Sequence, residues 1–164
     1  MAVFTEGMAK RLDPRFAKGN SFTNYNSTTP APVLAIKTRR VFNNETCYAE
    51  FDVLRIAASN ESVAKTLTVY VYKDVEITSN SINFQYVDQA NSAVSFAALT
   101  AGTDTINING KTPLLTFNVG ANGAQVVDIP PEELVANAGE ILVFAISTSG
   151  QISGQVEVNW FEQQ

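Results

Sequence analysis

A chain of 164 residues that is 45% apolar can bury one packed domain plus tails, and its charged content of 16% lies well below the ~25% usual in globular proteins. It contains no histidine, which excludes Ser-His-Asp and Cys-His catalysis, histidine-ligated metal and a histidine pH switch. The net charge of −5 conceals a split: residues 1–40 carry seven bases against two acids, or +5, and residues 41–164 carry four against fourteen, or −10.

Cys47 is the single cysteine, so no internal disulfide forms. The first twenty residues lack a signal-peptide apolar core, and the longest apolar run, Ile141 to Ile146, is too short to span a membrane. Synthesis in a cytoplasm is the expectation. The N-x-[ST] matches at Asn26, Asn44 and Asn60 therefore read as chance in a chain rich in Asn, Ser and Thr.

Residues 1–32 show no sustained period. Met8 to Leu12 suits one helical turn stopped by Asp13-Pro14, and Gly19 to Pro30 is rich in turn formers. Yet Phe4, Met8, Phe16, Phe22 and Tyr25 recur among Lys10, Arg11, Arg15 and Lys18. A solvated linker has no use for five large apolar groups. The pattern predicts an extended basic arm over 1–32, ordered when those side chains enter grooves on neighbouring subunits. The competing reading is an N-terminal strand and loop lying on their own domain.

From residue 33 the pattern is β. Strands are expected over Val33–Phe42, Thr46–Ala57 and Lys65–Tyr72, with Asn43-Asn44-Glu45 as a turn and Val75 and Ile77 continuing the third register. In the second strand Cys47, Ala49, Phe51 and Val53 should face the core, and Tyr48, Glu50 and Asp52 the solvent. Residues 79–112 are the least legible. Ile82–Val87 and Thr105–Ile108 suit strands, and Asn91–Leu99 suits a helical turn or an irregular loop. Asn109-Gly110 and Asn122-Gly123 are type I′ hairpin signals, the second between strands Pro113–Val119 and Ala124–Ile129. Pro130 to Val135 resembles a helical turn. Ile141–Ile146 reads as a strand buried on both faces, and Ile152, Val156, Val158 and Trp160 alternate with polar residues. Those last two strands are expected to pair as a closing hairpin. The whole predicts an all-β antiparallel sandwich or jelly roll over 33–164 with an extended N-terminal arm.

No cluster names a reaction. Glu50 and Asp52 share a strand face but read as a solvated pair, and Asp88, Asp104 and Asp128 lack calcium-loop spacing. Cys47 has no candidate base and reads as a buried apolar group. Phosphate-cradle motifs are absent, alternation sends Arg39 and Arg40 to opposite faces, and the acidic body repels nucleic acid. Tyr70, Tyr72, Phe84, Tyr86 and Trp160 serve either the core and subunit contacts or an exposed platform for sugar.

The closing residues Gly139-Glu140-Ile141-Leu142 and Val158-Asn159-Trp160-Phe161-Glu162, with the basic arm and the β-sandwich, resemble small virion proteins of tailed bacteriophages, the head decoration or auxiliary capsid proteins with jelly-roll-like folds. The resemblance implies a non-enzymatic structural protein on the capsid exterior, trimeric, without cofactor, metal, nucleic acid or membrane. Its partner would be the major capsid protein or another virion subunit, gripped by the arm residues Phe4, Met8, Lys10, Arg11, Arg15, Phe16, Lys18, Phe22 and Tyr25. The alternative is a carbohydrate- or receptor-binding module of a phage fibre or tail. A hydrolase would have to rest on Glu50 and Asp52 alone.

Overall fold

The apolar run that begins at Ile141 is the innermost strand of the protein, and the rest follows from where it can hide. A computed structural model describes residues 15–73, 75, 77, 82–102 and 106–163. Its strands are β1 (Arg15–Tyr25), β2 (Ala31–Thr38), β3 (Val41–Phe42), β4 (Glu45–Thr46), β5 (Glu50–Asn60), β6 (Leu67–Lys73) and β7 (Gln85–Tyr86). They continue with β8 (Val94–Ala98), β9 (Leu115–Val119), β10 (Gly123–Asp128), β11 (Val135–Ala136), β12 (Ile141–Thr148) and β13 (Ile152–Gln163). All pairings are antiparallel and the described residues include no helix.

One sheet runs β1-β13-β5-β10, with β11 also on β5, and the other runs β7-β8-β2-β12-β6-β9. Between them lies an apolar layer. Phe51, Val53, Ile56, Val156, Val158 and Trp160 come from the first sheet, and Leu34, Ile36, Val69, Val71, Leu142 and Phe144 from the second. Trp160 is wholly buried, with Phe16 stacked at 6.3 Å and Phe51 edge-on at 6.4 Å. The second sheet also hides its other face: Ala35, Ala97, Ile141, Val143 and Ala145 lie beneath Val75, Leu99, Ile106 and Ile108. Every residue of β12 is consequently buried, as an apolar run without alternation requires.

Several expectations change here. β12 and β13 do not form a hairpin; they enter different sheets, and the Ser149–Gln151 turn crosses the sandwich. Likewise Asn122-Gly123 joins β9 and β10 across the two sheets, with only Asn122 at positive φ (51°). Asn109-Gly110 turns at Gly110 alone, φ 75°, and links no paired strands among the described residues. The primed hairpin occurs instead at Asn43-Asn44, φ 53° and 63°, between β3 and β4. Residues 94–98, read as a loop or helical turn, form β8, because Val94 reaches the core while Ala97 faces the outer cover. Pro130–Leu134 is a β-turn rather than a helical one; Glu133 N–H donates to Pro130 O, and Glu132 adopts φ 67° with its N–H on Asp52 Oδ2. That turn covers Asp52, so the expected solvated pair with Glu50 is not one: Asp52 is buried and Glu50 half-buried. Cys47 precedes β5 and is half-exposed, not a core residue.

The largest change concerns the arm. Residues 15–25 are the edge strand β1, paired with β13 from Arg15↔Phe161 to Tyr25↔Ile152. Period two explains it: Phe16, Lys18, Asn20 and Phe22 turn inward, and Ala17 and Ser21 outward. Asn20 Nδ2 donates to Val33 O and Leu99 O, both at 2.8 Å, and thereby fastens this edge to the opposite sheet. Phe22 packs on Gly154, where an added Cβ would stand 2.9 Å from the ring. Phe4, Met8, Lys10 and Arg11 lie outside the described residues.

A buried carboxylate ties the end of β13 to the start of β8. Glu162 Oε1 accepts from Trp160 Nε1 at 3.0 Å and from Ser92 Oγ, and Oε2 accepts from the Ala93 amide at 2.8 Å. These three donors each bond a carboxyl oxygen of the buried side chain.

Two substitutions test this account by urea denaturation. Phe22→Ala should lower the unfolding free energy by about 3 kcal/mol, the usual loss for a buried aromatic. An unchanged midpoint would mean that β1 does not belong to the domain. Glu162→Ala, which strands three buried donors, should also lose about 3 kcal/mol, and Glu162→Gln distinctly less.

Candidate functional site

An open cleft of about 820 Å³ lies where β2 leaves the outer face of the second sheet. Four adjacent strands align one residue each at its base: Tyr86 opposite Ser95, Ser95 opposite Lys37, and Lys37 opposite Ile141. Ile77, Ile82 and Val75 supply an apolar wall, and Phe84, Val41 and Arg40 the rim. The strand ends here for a local reason. Thr38 Oγ1 accepts the amide of Gly139, which turns at φ 85° to start β12, and the next two residues leave the ladder.

That departure brings Arg39 and Arg40 to the same cleft. Alternation would have sent them apart, but it holds only within a strand, and β2 stops at Thr38. Lys37 Nζ lies 4.0 Å from the Phe84 ring centre, and Arg39 Cζ lies 3.8 Å over Tyr86 and 5.0 Å from Phe42. These distances are those of cation–π contacts.

The three cations differ in what they are free to do. Arg39 Nη1 donates to Gln89 O at 2.9 Å and Ser92 O at 3.1 Å, and its backbone N–H to Ala93 O at 2.7 Å. It clamps the 88–93 loop, whose own turn is closed by Asp88. The Asn91 side chain and the Ala90 amide hold that carboxyl below its ordinary range. Lys37 and Arg40 make no such bonds to the described residues. Burial, then the charge of Arg40, pushes the Lys37 ammonium below its usual range. The unfolded chain therefore holds that proton more tightly than the folded one. The stability penalty is full below the lowered folded value and fades as pH rises through it toward the ordinary value of 10.5. Among the described residues no carboxylate pairs with Lys37, Arg39 or Arg40; the nearby Glu140 is engaged by Lys73 at 2.7 Å. Asp74 and Glu76 lie outside the described residues.

The residues assigned to the arm do not gather into one site. Arg15 is exposed at one end of β1, beside a smaller cleft with Phe16, Arg55 and Asp128. Lys18 lies 4.7 Å over Phe96, Phe22 is buried, and Tyr25 Oη donates to Thr29 O at 3.3 Å. The aromatic platform divides as well. Trp160 and Tyr72 are buried, Tyr70 is bonded to Ser147 at 2.8 Å, and Tyr86 alone of the five is counted as exposed.

No protein-family model matches the chain, and no curated protein matches it.

Arg39→Ala should destabilise the domain by about 2 kcal/mol, because its bonds to two carbonyls are charge-assisted. Hydrogen exchange of the Ser92 and Ala93 amides should accelerate with it. Arg40→Ala should leave both unchanged, and equal losses at the two positions would refute the division of roles.

Proposed function

We propose that this protein is a non-enzymatic structural subunit whose β-sandwich binds an acidic surface of a larger assembly. In the reading suggested by its resemblance, that assembly is a bacteriophage head. The partner is the major capsid protein or another virion subunit, and the protein sits as a homotrimer on the capsid exterior. One observation supports it most: two cations, Lys37 and Arg40, without a carboxylate partner among the described residues, line an open apolar-walled cleft on a chain of net charge −5. A body that is otherwise acidic meets an acidic partner only where such cations gather. Residues 15–32 no longer serve as the anchor, since β1 belongs to the domain's own sheet. Residues 1–14, all that is left of the proposed arm, carry Lys10 and Arg11 against Glu6 and Asp13 and so have no net positive charge.

The carbohydrate- or receptor-binding reading loses its main residue, because Trp160 is sealed in the core. Its remaining exposed ring, Tyr86, already carries the Arg39 guanidinium at 3.8 Å.

Sedimentation of the protein with assembled candidate shells tests the proposal. Binding should weaken steeply between 50 mM and 500 mM salt and should fall in the doubly charge-reversed chain Lys37→Glu, Arg40→Glu. Binding that survives both changes would remove the cleft from the interface.

A further inference from the structure

The cleft offers its ligand three things at once: a point charge, a planar charge and a greasy wall. Lys37 rises from the base of the row beside Ile141, and Arg40 stands exposed at the rim. Ile77 and Ile82 line the side between them and the covering segment. Arg39 is already spent on the 88–93 loop. We infer that the cleft receives an extended acidic peptide segment of the partner, with one carboxylate bridging the Lys37 ammonium and the Arg40 guanidinium and a neighbouring apolar side chain against Ile77 and Ile82. This rests on the reading of the cleft as the partner-binding site and adds the chemistry of what enters it.

Three observations favour a carboxylate peptide over other anions. Among the described residues two cations of the cleft, Lys37 and Arg40, lack a hydrogen-bonded commitment, whereas a phosphate polymer needs a repeated cationic track, and the fourteen acids of residues 41–164 repel such a polymer. A volume near 820 Å³ suits a few residues of chain. The apolar wall, finally, has no use for a bare inorganic ion but suits an aliphatic side chain. The two like charges supply a driving force as well. Burial, and after it the charge of Arg40, lowers the Lys37 ammonium, and a carboxylate between the two cations offsets that like-charge contact. Arg40 can grip such a carboxylate through two parallel N–H···O bonds, which Lys37 cannot.

The test is a titration of the full chain, by calorimetry and by methyl NMR of its isoleucines. The probes are a capped peptide Leu-Glu-Ile-Asp-Leu, its Leu-Gln-Ile-Asn-Leu counterpart, and inorganic phosphate. The acidic peptide should bind saturably, shift the Ile77 and Ile82 methyl signals, and weaken about tenfold in Arg40→Gln, the scale of one charge-assisted pair. Lys37→Gln should weaken it similarly, and Arg55→Gln, whose charge lies on the other sheet, should not. Both cleft variants should keep the parent's urea midpoint or exceed it. The inference is overturned if the amide peptide binds as well as the acid, if phosphate displaces the acid at equal concentration, or if neither variant weakens binding. Shell binding measured in parallel separates the two readings. A chain that binds shells through Lys37 and Arg40 but ignores the peptide refutes only the peptide. A chain whose shell binding ignores both residues refutes the cleft as well.

Discussion

A strand with no polar face must be covered twice, and β12 imposes that on everything around it. On one side Leu142, Phe144 and Ile146 meet the opposing sheet through Trp160 and Phe51. On the other, Ile141, Val143 and Ala145 need a lid, which Val75, Leu99, Ile106 and Ile108 provide. Leaving three aliphatic side chains of this size bare would expose an apolar patch in the middle of a sheet. Val75, Leu99, Ile106 and Ile108 therefore carry out work usually left to a helix, and none of them lies in a strand.

The cleft is a consequence of where that lid ends. Ile77, Ile82 and Phe84 cover the sheet as far as the row Tyr86–Ser95–Lys37–Ile141, and there the covering stops. Beyond it, β2 departs from the ladder, because Thr38 is committed to the Gly139 amide at the mouth of β12. Arg39 then spans the gap and fixes the 88–93 loop, which Glu162 holds from beneath through Ser92 and Ala93. The wall of the site and the indole of Trp160 thus share one polar network of charge-assisted bonds.

How much of this the chain itself declares depends on whether a position answers to neighbours in sequence or in space. The two-sided burial of Ile141–Ile146 and the alternation of Ile152–Trp160 are local patterns and survive intact. Strand partners are not local. The short links after β9 and β12 look like hairpin turns, yet both cross the sandwich, because each strand has a better-matched neighbour elsewhere: β6 and β2 for β12, β5 and β1 for β13. β1 was obscured by its inward polar residues. Lys18 and Asn20 interrupt the apolar alternation of Phe16 and Phe22, but one lies over Phe96 and the other bonds two carbonyls. The site was hidden by a strand boundary. Lys37, Arg39 and Arg40 scatter over two faces if β2 runs to Phe42, and converge when it ends at Thr38.

Lys37 is the residue at which stability and sequence disagree. Its position on the outer face of a central strand belongs to an aliphatic side chain like its row neighbour Ile141, which is buried. An ammonium there loses water, gains an unfavourable neighbour in Arg40, and recovers only part of that through the Phe84 ring. Folding alone gives no reason to hold two cations together at the end of an apolar lid. A local departure of this kind, where the rest of the chain is self-consistent, is what the proposed partner contact would account for. A negative group arriving from another molecule would turn the same pair from a cost into the strongest attraction on this face.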